Sequence, residues 1–252
     1  VTTLRLPVSA FRVLSEHLGV RVPAVIDVLP TAFRPDEQRA ELDEVMAELR
    51  RRGLLDARGE VDDTLAGRLR ILDQARCVVD VVAHIDGPVN AVLAAGERRA
   101  VLIVQNGRQV AVRQARPTRI GDQAARLLPD TLAGYGRSVS IPTETLQKAA
   151  AEAGTDTRSL ETALQRHGVR GDNAHMIAVM NQAPTRTAQF GVTINESGRW
   201  RRVPHVVGWW CNESGGYLID EHRSASGQSW TTIAPADLPR MAGQIDKLID
   251  TV

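Results

Sequence analysis

Among the side chains of this 252-residue chain that could bind metals or move protons are six histidines, two cysteines and 30 carboxylates, and their spacing assembles no recognisable reaction centre. His17, His84, His167, His175, His205 and His222 are dispersed; no two stand three or four residues apart, the interval that places two ligands on one helical face. His167 and His175 are the nearest pair, with Asp172 between them, and a loop metal site there competes with ordinary solvation of polar residues beyond a helix end. The sequence has no Gly-x-Ser-x-Gly elbow, no phosphate loop ending in Gly-Lys-Ser/Thr, no Gly-x-Gly-x-x-Gly and no His-Glu-x-x-His, so hydrolase, nucleotide and zincin chemistry lose support together. Glu41 with Glu44 reads as the wet face of a helix. Asp62 with Asp63 reads as a helix start, where negative charge meets the positive end of the dipole. Cys77 and Cys211 belong to no Cys-x-x-Cys pair and sit at the edges of apolar runs, which predicts buried thiols.

The elements around these residues follow from apolar periodicity. Pro7 announces a first helix with Phe11, Leu14 and Leu18 on one face, ending at Gly19, and an extended piece follows over 20–29. A second helix from Pro35 carries Leu42, Val45, Met46 and Leu49 and stops at Gly53; a third, from about Asp62, uses Leu65, Leu69 and Leu72. The period then drops to two residues, predicting strands at 78–85, 91–95, 100–105 and 109–114, with Asn106-Gly107 as the central pair of a two-residue hairpin turn. A short helix over 120–128 closes the first half. Helices at 142–153 and 156–167, strands at 188–194, 199–203, 206–211, 216–220 and 229–233, and a final helix over 237–249 repeat that order. The expected architecture is therefore α+β with two similar halves, 1–133 and 134–252, sharing a core as a single domain and joined at Gly134-Tyr135-Gly136.

Composition narrows the function. With 43% hydrophobic residues the chain has the material for a sizeable core, and 31 basic against 30 acidic side chains leave a formal charge of +1, too little to draw it onto nucleic acid or an anionic membrane. A winged-helix reading of the helix ending in Arg50-Arg51-Arg52 is weakened by Asp56, Glu60, Asp62 and Asp63 beside it. No apolar run reaches the roughly 20 residues that span a bilayer, and no signal pattern opens the sequence, so a cytoplasmic protein is expected.

What stands out is aromatic placement. Trp200, Trp209, Trp210 and Trp230 all fall in the second strand-rich region of a chain that is 4% aromatic. Trp209 and Trp210, as neighbours in a strand, point to opposite faces, and the second layer is either the remaining helices or a partner. Arg199, Arg201 and Arg202 surround Trp200, the residue types favoured at interface hot spots.

The run Arg202-Val203-Pro204-His205-Val206-Val207-Gly208-Trp209-Trp210, the strand Phe190-Gly191-Val192 before it and Trp230-Thr231-Thr232-Ile233-Ala234-Pro235-Ala236-Asp237 resemble the EspG family of type VII (ESX) secretion proteins. So do Leu49 to Gly53 with Gly59 and Asp63-Thr64-Leu65-Ala66, the hairpin at Asn106-Gly107, and Gly136-Arg137-Ser138-Val139-Ser140-Ile141-Pro142. The resemblance covers nearly the whole chain. It implies a pseudo-twofold α+β protein whose central antiparallel sheet is flanked by two helical bundles, and a chaperone that is no enzyme and carries no cofactor or metal. It further implies that the partner is the helical tip of the PPE subunit in a PE–PPE heterodimer, with no nucleic acid, no membrane insertion, and a monomer or weak homodimer when free. The residues expected to touch that partner are Phe190, Val192, Trp200 and Trp210 of the second strand-rich region, Ile245 of the final helix, and the Gly96 to Arg99 turn as an adjustable edge, represented by Gly96 and Arg98.

Overall fold

The computed structural model describes residues 3–29, 34–154 and 156–251. In chain order the first half holds β1 (Leu4–Pro7), α1 (Val8–His17), α2 (Pro35–Arg51), α3 (Asp63–Leu69), α4 (Ile71–Gln74), β2 (Cys77–His84), β3 (Pro88–Ala95), β4 (Ala100–Asn106), β5 (Gln109–Ala115) and α5 (Ile120–Ala125). The second half holds β6 (Val139–Pro142), α6 (Thr143–Ala153), α7 (Thr157–Arg166), α8 (Gly171–Met180), β7 (Arg186–Glu196), β8 (Arg199–Arg202), β9 (Val207–Asn212), β10 (Gly215–Arg223), β11 (Ser229–Pro235) and α9 (Leu238–Asp250). The architecture is α+β with antiparallel pairing, as expected.

Two compact units result, and they do not follow the two halves: the first contains residues 1–82, 87–120 and 192–202, the second 83–86, 121–191 and 203–252. Strand β7 thus contributes its later part, with β8, to the first unit and its earlier part to the second.

In the first unit the strand order is β1-β5-β4-β3-β2-β7, with β8 paired to β7. Phe11 and Leu14 of α1, Leu49 of α2, Leu65 and Leu69 of α3 and Leu72 of α4 are buried against Val92, Val101, Ile103, Val110 and Val112 of the strands. Leu93 and Leu102, which alternation places on the opposite face, are buried too, so these strands read as unbroken apolar runs. The β4–β5 turn corrects the expected register. Its central residues are Gly107 and Arg108, because Asn106 still pairs with Gln109, and of the two only Gly107 has a positive φ. Glycine at the first central position with a normal residue after it suits a type II′ turn, whereas the expected pair would have required positive φ at asparagine as well.

In the second unit the order is β7-β9-β10-β11-β6. Helices α6, α7 and α8 bury Ala149, Leu164, Ala174 and Ile177 against Val139, Ile141, Trp210, Tyr217 and Ile233. Helix α9, capped by the Asp237 carboxylate accepting from Arg240 N, buries Met241, Ala242, Ile245 and Leu248. It crosses α5 closely enough for Gly121 N to donate to Asp246 Oδ1 at 2.8 Å.

Three elements were not foreseen. Helix α8 begins at Gly171-Asp172-Asn173, in the stretch that the sequence presents as solvated polar residues beyond a helix end. Strands β1 and β6 are four residues long, each runs directly into a helix through a proline, and each pairs with the last strand of its own half, β1 with β5 and β6 with β11. Proline fits there because an edge strand has no need of its missing N–H, and its fixed φ leads into the helix.

Candidate partner-binding surface

Four of the seven expected contact residues lie in the core. Phe190 and Val192 on β7 and Ile245 on α9 are fully buried. Trp210 stacks on Tyr217 at 5.7 Å between ring centroids, and its indole N–H donates to Met180 O at 2.9 Å. The C-terminal end of α8, absent from the sequence reading, supplies that acceptor and covers that face of β9. Trp209 on the opposite face is buried as well. These side chains are packing residues, and the assignment of Phe190, Val192, Trp210 and Ile245 to a partner surface is corrected accordingly.

Trp200 is different. It is 37% exposed on β8, in the first unit, at the side of an apolar groove of about 600 Å³. Val78 and Val82, two residues either side of Asp80 on β2, form the floor with Leu72, while Pro23 and Val25 approach from the segment after α1. Val82 is 51% exposed, unusual for valine inside a central strand. Its neighbours Val81 and Ala83 face the other way and are buried. Polar groups line the groove too, with Asp80 between the two floor valines. Arg202 donates from Nη1 to Asp80 Oδ1 at 2.6 Å and from Nη2 to Asp80 Oδ2 at 3.0 Å, and Arg21 N donates to Asp73 Oδ1 at 3.2 Å.

The Gly96 to Arg99 turn belongs to the same unit. Gly96 N donates to Arg99 O at 2.9 Å, Glu97 pairs with Arg76, and Arg98 projects into solvent. Arg76 O in turn accepts from Asn195 N at 2.8 Å, and Asn195 faces Trp200 across the β7–β8 ladder. Arg76 therefore ties the turn to the base of the Trp200 hairpin. Of the expected contacts, Trp200, Gly96 and Arg98 remain accessible in this way.

The chemistry elsewhere is sparse. In the second unit a polar cleft of about 530 Å³ is lined by His205, Asp220, His222, Gln244 and Lys247. Burial pushes the Asp220 carboxyl up, against the opposing pull of His205, His222 and Lys247 and of the bond donated by Gln244 Nε2 at 2.7 Å. Glu221, Arg223 and Thr251 also line the cleft, with Pro204 and Leu248 as its apolar part. His167 and His175 meet Glu152 and Glu161 respectively rather than each other. Among the described residues no three His, Cys, Asp or Glu side chains are grouped to hold a metal ion, and no helix is long and apolar enough to cross a membrane.

The groove residues Val78, Val82 and Leu72 were invisible as a site because the sequence presents them within ordinary apolar runs. A legible sign was the polar Asp80 interrupting the run at 78–83, which marks the less protected face of β2.

A family model described as the EspG family matches residues 7–247. Among solved structures, the type VII secretion system chaperone EspG5 of Mycobacterium tuberculosis, in complex with a PE25-PPE41 dimer, aligns with a TM-score of 0.79 and 17% sequence identity, covering 100% of this chain and 97% of that one. At that identity the likeness bears on the fold. A search of curated proteins finds no match.

Proposed function

The chain belongs to the EspG family, and from that premise we propose that it is a cytoplasmic chaperone, without enzymatic activity, that binds the helical tip of the PPE subunit of a PE–PPE heterodimer. By covering that tip it keeps the heterodimer soluble and directs it to its ESX type VII secretion system. The observation that carries this reading for the chain's own surface is the groove beside Trp200: a concave, mainly apolar strip in which the Asp80 carboxylate between the floor valines is neutralised by Arg202. An exposed apolar helix end is an aggregation hazard in water, and a groove of this kind removes it by burial alone, with no bond made or broken. Support also comes from the EspG5 structure, in which a chaperone of this fold is bound to a PE–PPE pair.

The energetics are those of a standard recognition interface, burying about 1,600 Å² in total. Nanomolar affinity corresponds to about 12 kcal/mol and rests mainly on a few well-packed anchors. Trp200 and Val82 are the anchors we assign, Arg98 and Gly96 an adjustable margin. Co-expression of the chain with candidate PE–PPE pairs and size-exclusion chromatography tests this. Trp200→Asp and Val82→Asp each weaken the complex by at least about 30-fold, the effect of losing one hot-spot residue of about 2 kcal/mol, while the melting temperature of the free chain is preserved. Ile245→Asp, by contrast, places a charge in the core and prevents folding. Retention of a heterodimer at full affinity by both groove variants would remove the groove from the interface.

A further inference from the structure

Strand β8 is the most weakly supported strand beside the groove. Its four residues, Arg199–Arg202, are all exposed, and among the described residues it pairs with β7 alone. An edge strand held by one neighbour, with no buried side chain of its own, is the part of a sheet that opens most readily. Its tip is well defined: Ser197 and Gly198 both take positive φ, and Gly198 N donates to Asn195 Oδ1 at 2.8 Å. Strand β7 is anchored through Asn195 N to Arg76 O. The outer strand, and with it Trp200, needs a second attachment to stay in place.

Alternation supplies the answer. Trp200 and Arg202 project to the same side of β8, and both line the groove; Arg199 and Arg201 project to the other. The Arg202 guanidinium reaches across to β2 and grips both carboxylate oxygens of Asp80, at 2.6 and 3.0 Å, the paired geometry that makes arginine–carboxylate contacts strong and directional. The Asp80 side chain is only 15% exposed, so solvent screens this pair less than the Arg201–Glu196 pair, whose side chains are both 57% exposed and which links the hairpin only to itself. Thr193, the cross-strand partner of Arg202, accepts a longer contact from the same Nη1 at 3.5 Å.

We propose that the Asp80–Arg202 ion pair is a latch that positions Trp200: it fastens β8 across β2 and holds the indole at the groove wall. Asp80 and Arg202 are positioning residues, and their influence on the partner passes through Trp200. An anchor fixed before the partner arrives spares binding the ordering of a strand and a large side chain, which is how preorganisation raises affinity. The consequence for binding rests on the chaperone reading; the latch itself is a property of the free chain.

Asp80→Asn preserves shape and removes the charge, and Arg202→Lys preserves charge while giving up the two-pronged grip. In free Asp80→Asn protein, hydrogen exchange at the β8 amides bonded to β7 should accelerate about tenfold with the melting temperature unchanged. Iodide quenching of Trp200, read as the difference between each protein and its Trp200→Phe counterpart, should rise with it. Affinity for a PE–PPE heterodimer should fall by about tenfold, and Arg202→Lys should lie between wild type and Asp80→Asn in all three measurements. Should Asp80→Asn unfold, Arg202→Gln, at a half-exposed side chain, gives the same readings. Unchanged exchange and quenching overturn the latch, and so does weakened binding without a change in either, which would make the pair a direct contact. If the wild-type chain binds no PE–PPE heterodimer, the chaperone reading fails while exchange and quenching still decide the latch.

Discussion

Asp220 sits on β10 in the polar cleft, half-buried, with the His205, His222 and Lys247 side chains and the Gln244 amide around it. Desolvation outweighs those favourable neighbours, so its folded pKa lies above the unfolded value. The sign follows from linkage. At neutral pH the folded chain carries an ionised carboxylate that the unfolded chain accommodates more easily in water; as pH falls through the folded pKa the penalty shrinks, and below the unfolded value it is gone. Asp220→Asn keeps an acceptor for Gln244 and removes the charge. Thermal unfolding should therefore show the variant more stable than wild type at pH 7, with the gain lost as pH approaches about 4. An equal gain at both pH values would mean that the substitution acts through packing rather than ionisation.

At the scale of elements, the crossing of α5 and α9 turns on one residue. A methyl group at Gly121 would lie 2.3 Å from Ala242 O and 2.5 Å from Asp246 Oδ1, so neither the backbone of α9 nor the Asp246 carboxylate leaves room for it. Gly121→Ala should destabilise by about 1–3 kcal/mol, the usual effect of forcing a methyl into a packed contact, seen as a lower denaturation midpoint with an unchanged slope. Nothing in the local sequence signals this requirement, because the partner is 125 residues away along the chain. The same reason explains which residues were read correctly as elements and wrongly as a surface. Strand periodicity is local, so β2 to β5 and β7 to β11 were legible within a few residues. Burial of Trp210 is not local: it depends on α8, whose opening Gly171-Asp172-Asn173 disguised a helix that packs Ala174, Ile177 and Met180 inward. Val82 shows the converse, an apolar residue in a strand-like run that stays 51% exposed in the groove although Val78, on the same side of β2, is buried. The single exposed groove tryptophan was legible through its arginine neighbours on a short strand, a pattern that a core strand would not tolerate.

Over the whole molecule, the repeat of helices, meander and helix was legible from element order, while the short strand that opens each half and the placement of residues 192–202 in the first unit were not, since both depend on strand pairing beyond a hairpin. The near-cancellation of charge, +1 overall, has a kinetic consequence. A protein without a net field cannot steer a charged partner from a distance, so encounter should proceed at the unassisted rate of about 10⁵–10⁶ M⁻¹s⁻¹. The Asp80–Arg202 pair is internal to the chain and adds no net charge to the groove rim, and the anchors assigned there, Trp200 and Val82, are apolar. Specificity then resides in how slowly the fitted complex dissociates, not in how quickly partners meet. Stopped-flow or surface-based kinetics across 50 to 500 mM salt, concentrations on the order of those that separate weak from strong screening, should show an association rate changing less than about threefold. A steep fall in association rate with salt would instead indicate local charge steering, and would shift the recognition burden from Trp200 and Val82 to the arginines of the rim.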